Sequence, residues 1–262
     1  MLGTSPPHLT KPGLFVTATD TDVGKTVITC AIAKTLVDQG RSVGVCKPFA
    51  TGCDRNQNNL LVSPDAQALA HFATARWPLD VINPIRYALP VAPAVAASQS
   101  SSPPPDYGHL RRCLETIDEA SDVVLVEGVG GLLVPLDDQH HTVLDLAVGL
   151  GYPVVVVTRP GLGTLNHTAM TVRLLQQAGC RVAGLVVNGC PVPHDPAAVQ
   201  DASLATNAKW LEQMNRVPIL ATVPVCPPHA VSPETGRIPT AVIQAVASVR
   251  WEDLLQAPSH TG

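Results

Sequence analysis

Lys25 and Thr26 close the stretch Ala18-Thr19-Asp20-Thr21-Asp22-Val23-Gly24-Lys25-Thr26, and they are the residue types that grip a polyphosphate. A lysine ammonium reaches β- and γ-phosphate oxygens, and a threonine hydroxyl can ligate Mg²⁺. The backbone N–H groups from Asp22 to Val27, aligned with the dipole of a helix that starts there, would hold the β-phosphate. Two carboxylates could complete a metal site with Thr26: Asp65 beside a helix start, and Glu127 at the end of an apolar run. A hard dication takes one or two carboxylates together with phosphate oxygens and water. Gly128, Val129 and Gly130 follow Glu127, and the glycines let backbone come close to a phosphate or substrate. Lys47 ends another apolar run and is expected to share a crevice with Lys25. These residues imply phosphoryl transfer from a nucleoside triphosphate, with Lys25 and Lys47 as its cations. The bland alternatives are a dipole-complementing carboxylate for Asp65 and a snorkelling surface lysine for Lys47.

Positioning such groups requires a sheet that ends in loops on one edge. The runs 14–19, 43–47, 123–128, 154–158, 184–188 and 219–223 are continuous and rich in β-branched residues. Strands covered on both faces look like this, so the chain is expected to be an α/β protein with a doubly wound, mainly parallel sheet between helices. Helices are expected from Lys25 to before Gly40 and from near Thr164 to before Gly179, each closed by a glycine suited to the left-handed cap. A third should start with Ser63 as cap and Pro64 at the first helical position. Composition makes 98–105 a loop. The expected organisation is a disordered or extended segment over 1–12, one P-loop domain over 13–255 and a frayed tail over 256–262.

The formal net charge of the 262 residues is −4, only 15% are charged, and no Lys/Arg cluster occurs. A nucleic-acid or anionic-membrane partner is therefore not expected. The N-terminus lacks a basic start followed by an apolar stretch, and no run reaches the roughly 18 apolar residues of a membrane span. The seven cysteines form no CxxC pair. Free thiols in apolar segments fit a reducing cytoplasm.

At this point the residues resemble the dethiobiotin synthetase family. Its pattern GTDTxVGKT reads here as residues 18–26, its KPxxxG as Lys47-Pro48-Phe49-Ala50-Thr51-Gly52, its SDA as Ser63-Pro64-Asp65-Ala66 and its VEGxGG as 126–131. Gly163-Thr164-Leu165-Asn166-His167-Thr168 looks like the family's GTINHT helix start. Ala18 replaces a glycine, Pro64 is inserted, and Thr51 stands where serine is common. Alanine is the smallest alternative, proline suits a first turn, and threonine keeps the hydroxyl.

The resemblance implies P-loop NTPase architecture and closure of a cyclic urea. The substrates would be 7,8-diaminononanoate, carbon dioxide and ATP, with Mg²⁺, and the route an N-carbamate and its mixed anhydride with phosphate. The residues can support this chemistry independently: an alkyl amine titrates near ~10.4, so holding it neutral at pH 7 costs about 4.6 kcal/mol, which nearby cations reduce. Lys47 would serve the carbamate and γ-phosphate. Thr21 and Thr51 would offer hydroxyls, with Gly130 beside the substrate. The resemblance also implies a homodimer, with the substrate carboxylate held by amides of Leu162, Gly163, Thr164, Leu165 and Asn166 at a helix start of the partner. A helix N-terminus can bind a carboxylate without a basic side chain. The base is expected near Asn188-Gly189 and Pro224-Val225-Cys226. His140, His141 and His167 lack a third ligand at sensible spacing, which argues against zinc. A cobyrinate-type amidation synthetase would need a glutaminase domain, and a partition ATPase an early second lysine where Thr19-Asp20-Thr21 stands.

Overall fold

The computed structural model describes residues 7–100, 103–191, 201–226 and 231–259. Six parallel strands form the central sheet: β1 (Gly13–Ala18), β2 (Val43–Cys46), β7 (Val123–Glu127), β8 (Val154–Thr158), β9 (Val182–Cys190) and β10 (Ile219–Pro224). Their order across the sheet is β10-β9-β8-β1-β7-β2. Every residue of β1, β2, β7 and β8 is buried. That is the reason these runs carry no polar alternation: both pleated faces are covered.

The two faces build two cores. Leu14, Val16, Val123, Leu125, Val155 and Val157 join one, with α1 (Lys25–Asp38), α2 (Pro64–Ala70) and the helix Thr240–Ala247. Phe15, Val124, Val126, Val154 and Val156 join the other, where α5 (Tyr107–Glu119), α6 (Val143–Leu150) and α7 (Thr164–Gln177) pack with the helix Ala202–Asn215. Because all six strands run the same way, their C-terminal ends share one edge. The loops after Ala18, Cys46, Glu127, Thr158, Cys190 and Pro224 therefore meet there, which is where open α/β sheets hold ligands.

Between β2 and α5 the chain makes small elements that the apolar runs do not announce. β3 (Phe49–Ala50) pairs with β6 (Ile85–Arg86), β4 (Asp54–Arg55) pairs with β5 (Leu61–Val62), and the single-turn α3 (Leu79–Ile82) precedes β6. The loop expected over 98–105 begins later than composition suggests, because α4 (Pro93–Gln99) takes in Ser98 and Gln99; residues 101–102 lie outside the described set. Pro93 sits in its first turn, where a missing N–H costs nothing.

Of the expected frayed tail, 260–262 lie outside the described residues. Within the rest, Gln256 accepts a backbone hydrogen bond from Gly13, and the Ser259 amide donates to Gly151. At the other end, the Thr10 and Lys11 amides donate to Asp118. No helix among the described residues is long and apolar enough to cross a membrane.

Candidate functional site

The loop between β1 and α1 is shaped by residues that tolerate unusual backbone. Asp22 (φ 57°) and Gly24 (φ 94°) are both left-handed, and Gly24 caps α1 with no side-chain hydrogen bond. The first amides of a 14-residue helix are thus left for a ligand. Asn188 supports the turn: its Nδ2 donates to the Val23 carbonyl at 2.9 Å. A Cβ on Gly24 would stand 2.1 Å from that same nitrogen.

Lys25 is buried, and its Nζ donates to the Asp20 carbonyl at 3.1 Å. Burial first, and then the neighbouring Lys47 charge, bring its pKa down to about 8. Thr26 donates its hydroxyl to Glu127 Oε1 at 2.8 Å.

Lys47 lies at the centre. Its Nζ is 2.5 Å from Glu127 Oε1 and 3.0 Å from Asp65 Oδ2, and it donates to the Gly128 carbonyl at 3.2 Å. An ammonium has three donors, so all are committed within the protein. Burial pulls the Lys47 pKa down, but Asp65 and Glu127 outweigh it and hold it well above the usual lysine value. Lys47 is therefore a cation at any physiological pH. The Lys47 charge holds the Asp65 carboxyl low, against its burial and with help from Thr26 and Lys25. Glu127 is wholly buried, and its Oε2 has no hydrogen-bond partner. A buried carboxylate oxygen left bare is costly unless a ligand uses it.

Ser63 accepts from the Ala66 amide as the cap of α2, with Pro64 in the first turn; this local geometry presents Asp65 to the crevice. Gly130 is left-handed (φ 57°), and a Cβ there would lie 3.6 Å from the Thr21 hydroxyl, so Thr21 and the segment from Gly128 through Val129 to Gly130 face each other. Thr51 precedes Gly52 (φ 68°) at the turn beyond Lys47.

Gly163 (φ 91°) caps α7 without a side-chain bond, and Leu162 beside it is 87% exposed. Thr164 turns inward, its hydroxyl 2.8 Å from that of Thr158, whereas Leu165 is half-buried and Asn166 exposed. Beyond the sheet, Gly189 is left-handed, the Val225 amide donates to the Cys190 carbonyl, and the Cys226 thiol turns to the Pro224 carbonyl. The structure thus brings together Lys25, Thr26, Lys47, Asp65 and Glu127, with Asn188 against the loop.

Sequence reasoning missed two contacts of this site. Asp20 accepts from the Thr21 amide and from Arg159 of the β8–α7 turn. Asn83, wholly buried, donates to the Lys47 carbonyl at 2.6 Å and steadies its backbone. Nothing local in the sequence marks either pairing. Among the described residues no three His, Cys, Asp or Glu side chains group as a metal cluster. A dication held by Asp65 and Glu127 would have to draw on Thr26, water and phosphate as well.

A family model described as an AAA domain matches residues 12–232. The ATP-dependent dethiobiotin synthetase BioD of Thermodesulfovibrio yellowstonii is 37% identical over 220 residues, covering 82% of this chain and 89% of that protein. The protein of the same name from Rhodococcus jostii is 37% identical over 241 residues, covering 92% and 94%. Among solved structures, a ParA family ATPase from Chlorobium tepidum covers 91% of this chain and 97% of its own at a TM-score of 0.53 and 12% identity. This last likeness concerns the fold alone, a parallel sheet between helices.

Proposed function

Since the chain belongs to the ATP-dependent dethiobiotin synthetase family, we propose that its crevice closes a cyclic urea, converting 7,8-diaminononanoate, carbon dioxide and ATP into dethiobiotin, ADP and phosphate. It is an ATP-dependent ligase of biotin biosynthesis. The observation that carries the reading is the meeting of Lys47, Thr26, Asp65 and the half-satisfied Glu127 beside an uncapped helix start.

Bond by bond, one substrate amine attacks carbon dioxide and loses a proton, giving a carbamate. A carbamate oxygen then attacks the γ-phosphorus while the bond to ADP breaks. The second amine attacks the carbonyl carbon of that anhydride and loses a proton, phosphate leaves with the C–O electron pair and takes that proton up, and the urea ring closes. Asp22 through Val27 cradle the phosphates, Lys25 reaches the β- and γ-oxygens, and Lys47 supplies fixed positive charge to the carbamate and γ-phosphate. Thr26, Asp65 and Glu127 suit Mg²⁺, which when bound would neutralise charge on the phosphate oxygens. Were both carboxylates to hold a dication, two of the Lys47 donors would be free for phosphate or carbamate oxygen. Thr21 and Thr51 orient the substrate near Gly130.

The open start of α7, from Leu162 to Asn166, suits the substrate carboxylate, and the reading places it across a homodimer interface. Its exposed leucine and its cap without a side-chain bond support that placement. With one amide hydrogen of Asn188 given to Val23, the other remains for the base.

The test is ATP turnover with Mg²⁺, bicarbonate and 7,8-diaminononanoate, each omitted in turn, with the organic product identified by mass. Dethiobiotin only in the complete mixture is expected. ATP hydrolysis that ignores the diamine would leave a P-loop ATPase and overturn the synthetase reading.

A further inference from the structure

The P-loop here must hold a left-handed turn without its usual leading glycine. Asp22 sits at φ 57°, a conformation that aspartate reaches more readily than most residues but still at a cost, so neighbouring groups have to hold it. On the α1 side, Asn188 grips the Val23 carbonyl. On the leading side, the grip comes from the β8–α7 turn, through consecutive residues of each segment.

The Thr19 amide donates to the Val157 carbonyl at 3.0 Å, and the Thr19 hydroxyl lies 3.4 Å from that of Thr158. The next pair is ionic: Arg159 Nη2 donates to Asp20 Oδ2 at 3.0 Å. Asp20 Oδ1 accepts from the Thr21 amide at 2.8 Å, so one carboxylate ties the loop's own backbone to the arginine. The anchor behind Arg159 is firm. Thr158 is wholly buried, and its hydroxyl lies 2.8 Å from both the Thr164 and the Thr168 hydroxyls in the first turns of α7. The Asp20 carbonyl, set by the same residue, is where Lys25 Nζ rests.

We propose that Arg159 and Asp20 form a clip that fixes the leading half of the P-loop against the α7 corner, making Arg159 a positioning residue for nucleotide binding. The clip rests on the reading of this loop as the ATP site. It holds Asp22 in its left-handed turn, so that the loop amides and Lys25 point together before phosphate arrives. Releasing it lets the turn relax, and nucleotide must then reorder it. Arg159 and Asp20 side chains are 46% and 52% exposed, so their loss is a local event with little effect on the core.

The experiment is a titration of the full chain with Mg·ADP, which needs no diamine chemistry. Arg159→Ala and Asp20→Asn should each weaken binding about fivefold, the upper range for a half-exposed pair, with thermal midpoints unchanged. The double variant should be no weaker than either single one, and Arg159→Lys should recover most of the loss. In turnover, KM for ATP rises while KM for the diamine stays. Arg41→Ala breaks the Arg41–Glu252 pair, which is similarly exposed and contacts no P-loop residue, and should leave binding unchanged. Binding by Arg159→Ala within twofold of the parent would overturn the clip, as would an equal loss in Arg41→Ala. Arg159→Gln serves in the same way if the alanine variant does not fold. If the parent binds Mg·ADP but makes no dethiobiotin, the synthetase reading fails while the clip stands on its own titration.

Discussion

Lys47 decides whether this crevice is a reaction centre or an inert ion-pair cluster. A lysine at that strand end could have been a snorkelling surface residue; instead it is 2% exposed between two carboxylates. Taking one member out of such a cluster leaves buried charge uncompensated, which costs about 3–5 kcal/mol. Lys47→Gln should therefore lower the thermal midpoint as well as turnover, the latter by roughly 10³ or more, the scale for a lost transition-state cation. Adding Glu127→Gln removes the stranded carboxylate and should restore much of the midpoint without restoring turnover. Thermal denaturation and steady-state rates on the two variants separate the roles. Near-parental turnover in Lys47→Gln would remove the lysine from the chemistry, and an unchanged midpoint would mean its ion pairs contribute nothing to the fold.

At the scale of elements, the join of β1 to α1 is where backbone conformation limits the side chain. Gly24 is left-handed at the cap, and an added Cβ would press on Asn188 Nδ2. Gly24→Ala should thus bring two penalties, the left-handed strain of about 1–2 kcal/mol and the collision. Nucleotide affinity should fall about tenfold or more, and Gly24→Ala/Asn188→Ala set against Asn188→Ala alone should show only the part due to φ, because the collision partner is gone from both. Isothermal titration with Mg·ADP measures these variants; equal affinity of the double variant and Asn188→Ala would show that φ carries no cost here. The ends of these elements were legible because each follows from local chemistry. Lys25 opens α1 after glycine, Ser63 caps α2 ahead of Pro64, and β8 spans the run 154–158 read from its valines. The two-residue strands at 49–50 and 85–86 were not legible, since two residues have no period. Neither was the Asp20–Arg159 pair, whose members are 139 positions apart and meet only because β1 and β8 are neighbours. Lys47, Asp65 and Glu127 could be gathered from sequence because each begins or ends an element on one sheet edge. The bare Glu127 Oε2 could not, because it depends on which atoms fill the space around it.

For the whole molecule, the sheet separates two cores, and only one of them reaches the P-loop through α1. That core is closed at the far end of the chain by Trp251, which is fully buried and donates its indole N–H to the Val246 carbonyl at 2.8 Å. Ile28, Ile32 and Leu36 of α1 lie in the same cluster as Val242 and Val246 of the helix Thr240–Ala247. Removing a buried tryptophan side chain typically costs about 3–5 kcal/mol, from lost burial and the cavity left behind. Trp251→Ala should therefore lower the thermal midpoint substantially, although the residue is remote in sequence from every group in the crevice. Ligand can offset this by mass action: nucleotide that binds only the folded chain adds about 2.7 kcal/mol at a hundredfold excess over Kd. The variant's midpoint should then rise with Mg·ADP, and its Kd should match the parent's, because the P-loop, its Asn188 brace and the Arg159 clip are untouched. A matched Kd with a lowered midpoint would show that the core supports α1 without shaping the loop at its start. A Kd weakened in step with the midpoint would show that the packing of α1 on the C-terminal helix sets the geometry of the phosphate site, and that the two cannot be varied separately.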